Sequence, residues 1–568
     1  MIDQGTCNLN WCAALLDGLI AGGVATLVLS PGSRSTPLIL AAQRRPELTI
    51  EPILDERSAA FYALGLAAAA RRPVALLATS GSAPAHWLPA VIEAAQSDHP
   101  LVLLSADRPP ELHGWGANQT IDQGQLFVPF ARECHDPGPA TADPAALKMV
   151  RALGARVAAV ARGPRPGPVH INLPLREPLV PETALPPLPR PRPTPPAPPP
   201  ATWSGGAPDP HRATQVRTLL RGRGLICCGP DSARPGLAPR LWQLADHLGV
   251  PVLCDPLSGL RFGPGSAARI ARYDSFLRNP QARAQLRPDW VVSLGRTPVS
   301  KTLLGWLAGT PTLRIDPAAR WSDPNHDVAV LLDADPAACC DWLGEQLDPA
   351  PTHWLEHWQH AERRIEAIAA EHLAESPWCE PQLLTTLLAH IDPDAGLLCA
   401  NSMPIRQLDT WIGARATPLR LFCNRGASGI DGQASTLAGI NAAGVHCHGL
   451  LGDLSLLHDL SGLQLLQRLD RPCVVLNNGG GRIFDYLPQQ GVEGFERLWR
   501  TPQSLDLAAL ARGHGLAHHA VEGAADFAAT LARDDAAGII EVRLDAERSR
   551  TVHQTFWSRL HEDTGLLK

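Results

Sequence analysis

Around positions 445–487 the chain sets an acidic residue and an asparagine pair where they could hold a hard cation against a phosphate. An apolar run ends in Gly452-Asp453, and further on Asn477-Asn478 precedes Gly479, Gly480 and Gly481. Leu454, Leu457, Leu460, Leu463, Leu466 and Leu469 predict a helix between these points, and 473–476 a short buried strand. In a parallel α/β unit the turns after successive strands share one edge, so Asp453 and Asn478 should meet there. A carboxylate, an amide oxygen and a carbonyl from the glycine run would make half of an octahedral magnesium shell, with a diphosphate supplying the rest. The glycines let the backbone approach phosphate oxygens with no Cβ in the way. Taken alone, an ordinary strand-helix-strand unit with an Asn-Gly turn is the simpler explanation.

A second acidic group stands far away in the chain. In LDERSAAFYALGLAAAA, residues 54–70, Glu56 falls in the first turn of a long apolar helix. A glutamate there commonly serves the helix dipole and nothing more. Buried against a bound ring, however, such a carboxyl is pushed up in pKa and keeps a proton for hydrogen bonding. Arginines recur beside small turn residues: Arg34 after Ser33, Arg108 ahead of Gln119, Arg406 after Ser402, and Arg425 in CNRGASGIDG from 423. Each alone reads as a solvated arginine or an anion contact at a helix start. Together they are four cations.

These groups need a frame to bring them together. At 568 residues the chain exceeds a single core. Strand-like runs at 26–30, 74–78, 101–105 and 169–172 alternate with helical ones in an amino-terminal α/β domain, 1–180. A proline-rich linker, 181–205, follows. A central α/β domain, 206–348, has strands near 225–228, 252–254, 290–294 and 312–315. A helical stretch then leads into a third α/β domain, 349–568, which holds the asparagine pair. A net charge of -6 leaves no basic footprint for nucleic acid, so small molecules are the expected partners. Thirteen cysteines with no C-x-x-C spacing suit reduced thiols in a cytoplasm. No apolar run is long enough to span a membrane, and the amino-terminal residues lack the pattern of a signal peptide.

SPGSRSTPL, DERSAAFYALGLA, TSGSAPAHWLPAVIEA, ADRPPELHGWGANQTIDQ, HINLPLREPL, NRGASGIDG and GDLSLLHDL, spread over nearly the whole chain, resemble the 2-succinyl-5-enolpyruvyl-6-hydroxy-3-cyclohexene-1-carboxylate synthase family of menaquinone biosynthesis. The resemblance implies three doubly wound parallel-sheet α/β domains of the thiamine diphosphate-dependent decarboxylase type. It also implies a homodimer or homotetramer with active sites between subunits, thiamine diphosphate, and Mg²⁺ with Mn²⁺ as the alternative. The implied reaction decarboxylates 2-oxoglutarate and adds the succinyl carbanion equivalent to isochorismate, releasing CO₂. Both substrates are dicarboxylates, for which an arginine-lined pocket is the charge complement.

By the resemblance Glu56 would contact the cofactor's pyrimidine, and Gln119 would position a water or a reacting carbonyl. Ser33, Arg34, Arg108, Lys301, Ser402, Arg406 and Arg425 would bind substrate. Asp453, Asn478 and the Gly480 carbonyl would hold the metal. Ile430, Gly452, Leu454, Ser455, Ile483, Phe484 and Leu487 would complete the cofactor site. Ile430, Phe484 and Leu487 are equally ordinary core residues.

Two features depart from the family. Thr302 follows Lys301 where a basic pair is usual, and the segment from Pro472 to Asn477 is about two residues short, which preserves the facing of strand residues. GRTPVSKT from Gly295 imitates a phosphate-binding loop, but Ser300 replaces its second glycine and Pro298 removes an amide donor. His446 and His448, on one strand face, are too few for zinc and read as structural. Two other readings remain: a thiamine-dependent 2-oxo acid decarboxylase or carboligase with a different acceptor, and a silent assembly protein that keeps the fold. The four arginines argue against the first, and Glu56, Asp453 and Asn478 against the second.

Overall fold

Strands buried on both faces and separated by helices form three six-stranded sheets, one after another along the chain, all parallel. The computed structural model describes residues 3–182, 210–351, 353–533 and 535–567. Most of the expected linker, 183–205, therefore lies outside the described residues.

The first sheet comprises β1 (Thr26–Leu29), β2 (Thr49–Pro52), β3 (Val74–Ala78), β4 (Leu101–Asp107), β5 (Cys134–His135) and β6 (Pro168–Pro174), in the order β2-β1-β3-β4-β6-β5. The second comprises β7 (Gly224–Cys228), β8 (Val252–Cys254), β9 (Arg269–Ile270), β10 (Trp290–Leu294), β11 (Thr312–Ile315) and β12 (Val328–Leu332), in the order β12-β11-β10-β7-β8-β9. The third comprises β13 (Gly396–Cys399), β14 (Arg420–Phe422), β15 (Cys447–Gly452), β16 (Cys473–Asn477), β17 (His518–Val521) and β18 (Ile539–Arg543), in the order β14-β13-β15-β16-β18-β17. Three parallel sheets with interleaved helices are the expected fold class.

The helix Trp354–Ala374 packs Trp354, Trp358 and Ile365 into the core of the second sheet, and Trp354 Nε1 donates to the Gly224 carbonyl at 2.7 Å. Phe556 and Leu560, near the carboxyl end, join the same core. Second and third sheets thus share apolar side chains.

The leucine stripe after Asp453 is not one helix. A short α-helix, Asp453–Leu457, ends at His458, and Leu460–Arg468 continues as a 3₁₀ helix. The leucines recur at strict intervals of three, the 3₁₀ period rather than 3.6. At the break, Asp459 turns inward to accept the Ser435 amide at 2.8 Å. His446 and His448 also differ from the expectation of a shared face. β15 begins at Cys447, leaving His446 exposed beside Asp470 while His448 is buried. Among the described residues no group of three metal-ligating side chains of the His, Cys, Asp and Glu types occurs.

Candidate active site

β15 and β16 are neighbours, with Gly452 in register with Leu476, so the turns after them meet at one edge of the third sheet. Asp453 is buried there; its Oδ2 accepts the Gly480 amide at 2.8 Å and its Oδ1 the Leu454 amide at 2.7 Å. Burial outweighs these amides and holds the carboxyl above the ordinary 3.8. Gly480 sits at φ +115°, and a Cβ there would lie 2.4 Å from the Arg500 carbonyl. Only glycine lets this turn close on the acid.

The two asparagines divide. Asn477 donates to Glu541 at 2.7 Å, whereas the Asn478 side chain makes no hydrogen bond among the described residues. One buried carboxylate, one uncommitted amide and a close-packed glycine backbone are hard oxygen donors of the kind Mg²⁺ takes. They fit the expected metal and diphosphate. The Gly480 carbonyl also accepts the Arg482 amide at 2.8 Å, which leaves it one lone pair. Leu454 is half-buried and Ser455 buried beside Asp453, while Ile483, Phe484 and Leu487 lie half-buried just beyond the glycines.

Glu56 is the first residue of the helix Glu56–Ala70, capped by Asp55, whose Oδ1 accepts the amides of Arg57 and Ser58 at 2.9 and 3.1 Å. Capping by Asp55 leaves the Glu56 carboxylate at liberty, half-buried and with no hydrogen bond among the described residues. This helix lies against the third domain's helix Gln433–Ala442 at backbone distance. A Cβ on Gly65 would come 2.1 Å from the Thr436 carbonyl, and one on Gly439 2.0 Å from that of Tyr62. Among the described residues no hydrogen bond or ion pair joins Glu56 to Asp453 or Asn478.

Within one chain the arginines form two pairs. Arg34 follows β1 and Arg108 follows β4, at the same edge of the first sheet. Arg34 is near enough to act on Arg108: burial and then Arg34 hold the Arg108 guanidinium below its usual pKa. Arg108 donates to Ser80, whose carbonyl accepts Gln119 Nε2 at 2.8 Å. Gln119 is in the left-handed region at φ +55°. Arg34 is buried, with Nη1 on the Leu175 carbonyl and Nη2 on Glu177, both at 2.8 Å, and Nε without a partner. Ser33 beside it is exposed.

Arg406 and Arg425 make the second pair, after β13 and β14. Burial, then Arg425, lowers the Arg406 pKa. Arg406 donates to the carbonyl of Ser402, a residue at φ +70°, ψ -124°. Such a conformation in a serine is strained by about 1–3 kcal/mol and tends to mark a functional turn. Arg425 donates to Asn401 Oδ1 at 3.1 Å. Ile430 is half-buried three residues ahead of the Gln433 helix. Lys301 is exposed at the first turn of the helix Lys301–Leu307, with no hydrogen bond or ion pair among the described residues.

Two carboxylates gave no signal in the sequence. Glu177 pairs with Arg34. Glu93, on the helix Leu88–Ser97, is buried and accepts backbone amides from the loop that carries Arg425. A glutamate amid a helical run reads as solvated, and only the loop brought from another domain gives it a partner.

Residues 10–126 match the sequence profile described as thiamine pyrophosphate enzyme, N-terminal TPP binding domain. Residues 207–399 match that described as middle domain of thiamine pyrophosphate. Relatives named 2-succinyl-5-enolpyruvyl-6-hydroxy-3-cyclohexene-1-carboxylate synthase include one from Dechloromonas aromatica, 40% identical over 96% of this chain and 100% of its own. One from Chloroflexus aurantiacus is 42% identical over 96% and 95%. A third, from Geobacillus kaustophilus, is 39% identical over 97% of both chains. The edge that joins Asp453 to the glycine turn thus stands in a chain that belongs to the 2-succinyl-5-enolpyruvyl-6-hydroxy-3-cyclohexene-1-carboxylate synthase family of thiamine diphosphate enzymes.

Proposed function

We propose that the chain decarboxylates 2-oxoglutarate and adds the resulting succinyl unit to isochorismate, with thiamine diphosphate and Mg²⁺ bound at the Asp453 edge. Mn²⁺, with the same preference for oxygen donors, is the alternative ion. The observation that carries the reading is the arrangement of Arg34 with Arg108 and Arg406 with Arg425 as two cation pairs at the edges of two sheets. Two dicarboxylates need such pairs, whereas a neutral acceptor does not.

Asp453, Asn478 and the remaining lone pair of the Gly480 carbonyl would hold the metal. When bound, the cofactor supplies the electron sink for loss of CO₂. Glu56 would hydrogen-bond its pyrimidine ring, and Gln119, fixed by Ser80, would orient a water or the substrate carbonyl. Arg108, Arg406 and Arg425 would orient carboxylates. Arg34, buried and held by Leu175 and Glu177, would add positive charge behind Arg108, with Ser33, Ser402 and Lys301 at the margins. Ile430, Ile483, Phe484 and Leu487 would wall the cofactor site and exclude water.

The proposed assembly is a homodimer or homotetramer in which Glu56 of one subunit faces Asp453 of another. Support comes from two apolar side chains beside site residues, Leu54 and Trp115, which are 80% and 83% exposed in the single chain. A cytoplasmic location is supported by thirteen free cysteines, of which eleven are buried as small apolar residues. No helix among the described residues is long and apolar enough to cross a membrane.

The test is turnover with 2-oxoglutarate alone and then with isochorismate, in thiamine diphosphate and Mg²⁺. Product should form only with both substrates. CO₂ release at the full rate from 2-oxoglutarate alone would point to a decarboxylase that needs no isochorismate.

A further inference from the structure

Glu93 of the first domain fills a pocket made of three third-domain amides and one hydroxyl of its own helix. Its Oε1 accepts the Gly426 amide at 2.7 Å; its Oε2 accepts those of Ala427 at 2.7 Å and Ser428 at 3.3 Å. Ser97 Oγ, one turn along the same helix, donates to Oε1 at 2.5 Å. Three successive backbone amides turned toward one point form an anion-binding nest. Here a side chain brought from another domain fills it.

The loop is also held from its own domain. Asn401 Nδ2 donates to the carbonyls of Asn424 and Gly429, at 2.5 and 2.8 Å, and its Oδ1 accepts Arg425 Nη1. Asn401 alone leaves the 426–428 amides without partners. Close contact with the Glu93 helix is built into the sequence at Gly426, where a Cβ would lie 2.5 Å from Ser97 Oγ and 2.9 Å from the Glu93 carbonyl. The other end of that structural unit follows β3, whose turn contains Ser80, the residue that Arg108 and Gln119 contact.

We propose that Glu93 is a positioning residue: it fixes the 424–429 loop so that Arg425 meets a substrate carboxylate. The inference rests on the reading of Arg425 as a carboxylate contact. Glutamine in its place offers the nest one oxygen and turns an NH₂ group against amide donors, so the loop loses its anchor without losing a packed side chain.

The experiment is steady-state kinetics of the holoenzyme with each dicarboxylate varied in turn, for wild type, Arg425→Ala, Glu93→Gln and the double variant. Arg425→Ala should raise KM for one of the two substrates. Glu93→Gln should raise the same KM roughly ten- to a hundredfold, as a slight misplacement of a binding group does. The other KM and the affinity for thiamine diphosphate should stay within about twofold, and Glu93→Gln should add nothing to Arg425→Ala. Should Glu93→Gln not yield folded enzyme, Gly426→Ala, which pushes the loop off the helix, should give the same KM split. A folded variant of either kind with both KM values unchanged or raised alike would overturn the proposal, as would full multiplication of the two effects in the double variant. Should Arg425→Ala move neither KM, the reading of Arg425 itself fails, and this inference with it.

Discussion

The Asp453 carboxylate lies 2.8 Å from the Gly480 amide, across the gap between two neighbouring strands. One side chain therefore fixes the glycine turn and leaves Asn478 beside a buried anion. Asp453→Asn should weaken thiamine diphosphate binding in Mg²⁺ by more than about a hundredfold, measured by titration calorimetry, since even the loss of a group that only orients a metal ligand reaches about that size. Chelation of the metal should have a comparable effect on cofactor retention.

The same carboxyl sets a pH dependence. Burial raises its pKa above 3.8, and a proton on it must leave before a cation binds. Cofactor affinity should therefore fall as pH is lowered, starting at a pH above the range of an exposed aspartate. Affinity that stays flat down to pH 3.8 would contradict this assignment.

Glu56→Gln retains the shape of the side chain at a helix start already capped by Asp55. The melting temperature should change little, while turnover should drop about 10²- to 10⁴-fold, the usual weight of a proton-transfer group. An unchanged rate would remove Glu56 from the reaction.

Mixed assemblies test whether the site spans two chains. Glu56→Gln and Asp453→Asn homo-oligomers should each be inactive. Subunits exchanged between them should regain part of the wild-type activity, because some sites then combine an intact Glu56 with an intact Asp453. No recovery after demonstrated exchange would place both residues of a site in one chain.

Asp459 is fully buried at the break in the leucine stripe, and burial raises its pKa from 3.8 to about 6, against hydrogen bonds from Ser435. Between those values the folded state binds more protons than the unfolded one. Stability is thus lost as pH rises from 3.8 to about 6, by up to about 3 kcal/mol, and is level above that range. Asp459→Asn keeps a partner for Ser435 without the charge. It should raise the melting temperature at pH 8 and leave it nearly unchanged at pH 4.

How much of this was legible depended on how locally each feature is determined. β3 and β16 are continuous apolar runs because parallel strands are buried on both faces, and they stand where the sequence predicts them. β2, reading TIEP, is half-exposed and carries no such run, so its pairing with β1 alone defines it, whereas β12 is an apolar run, VAVLL, that is missing from the expected strands and lies half-exposed at the sheet edge. The meeting of Asp453 with the turn after Asn478 followed from topology, because adjacent parallel strands must release their turns at one edge. Spacing could not show that Asn477 is committed to Glu541, or that Arg34 is half-engaged by Glu177. Those facts depend on side chains contributed by distant segments. Within one chain the sheets deliver the arginines in twos, Arg34 with Arg108 and Arg406 with Arg425, a pairing that counting charges along the sequence could not show.

The glycine contacts between the Glu56 helix and the Gln433 helix bring backbone against backbone, and the Phe61 ring closes over Gly432 at the start of the second helix. Helices seated this closely are locked in register, because any larger side chain at Gly65 or Gly439 would strike the facing backbone.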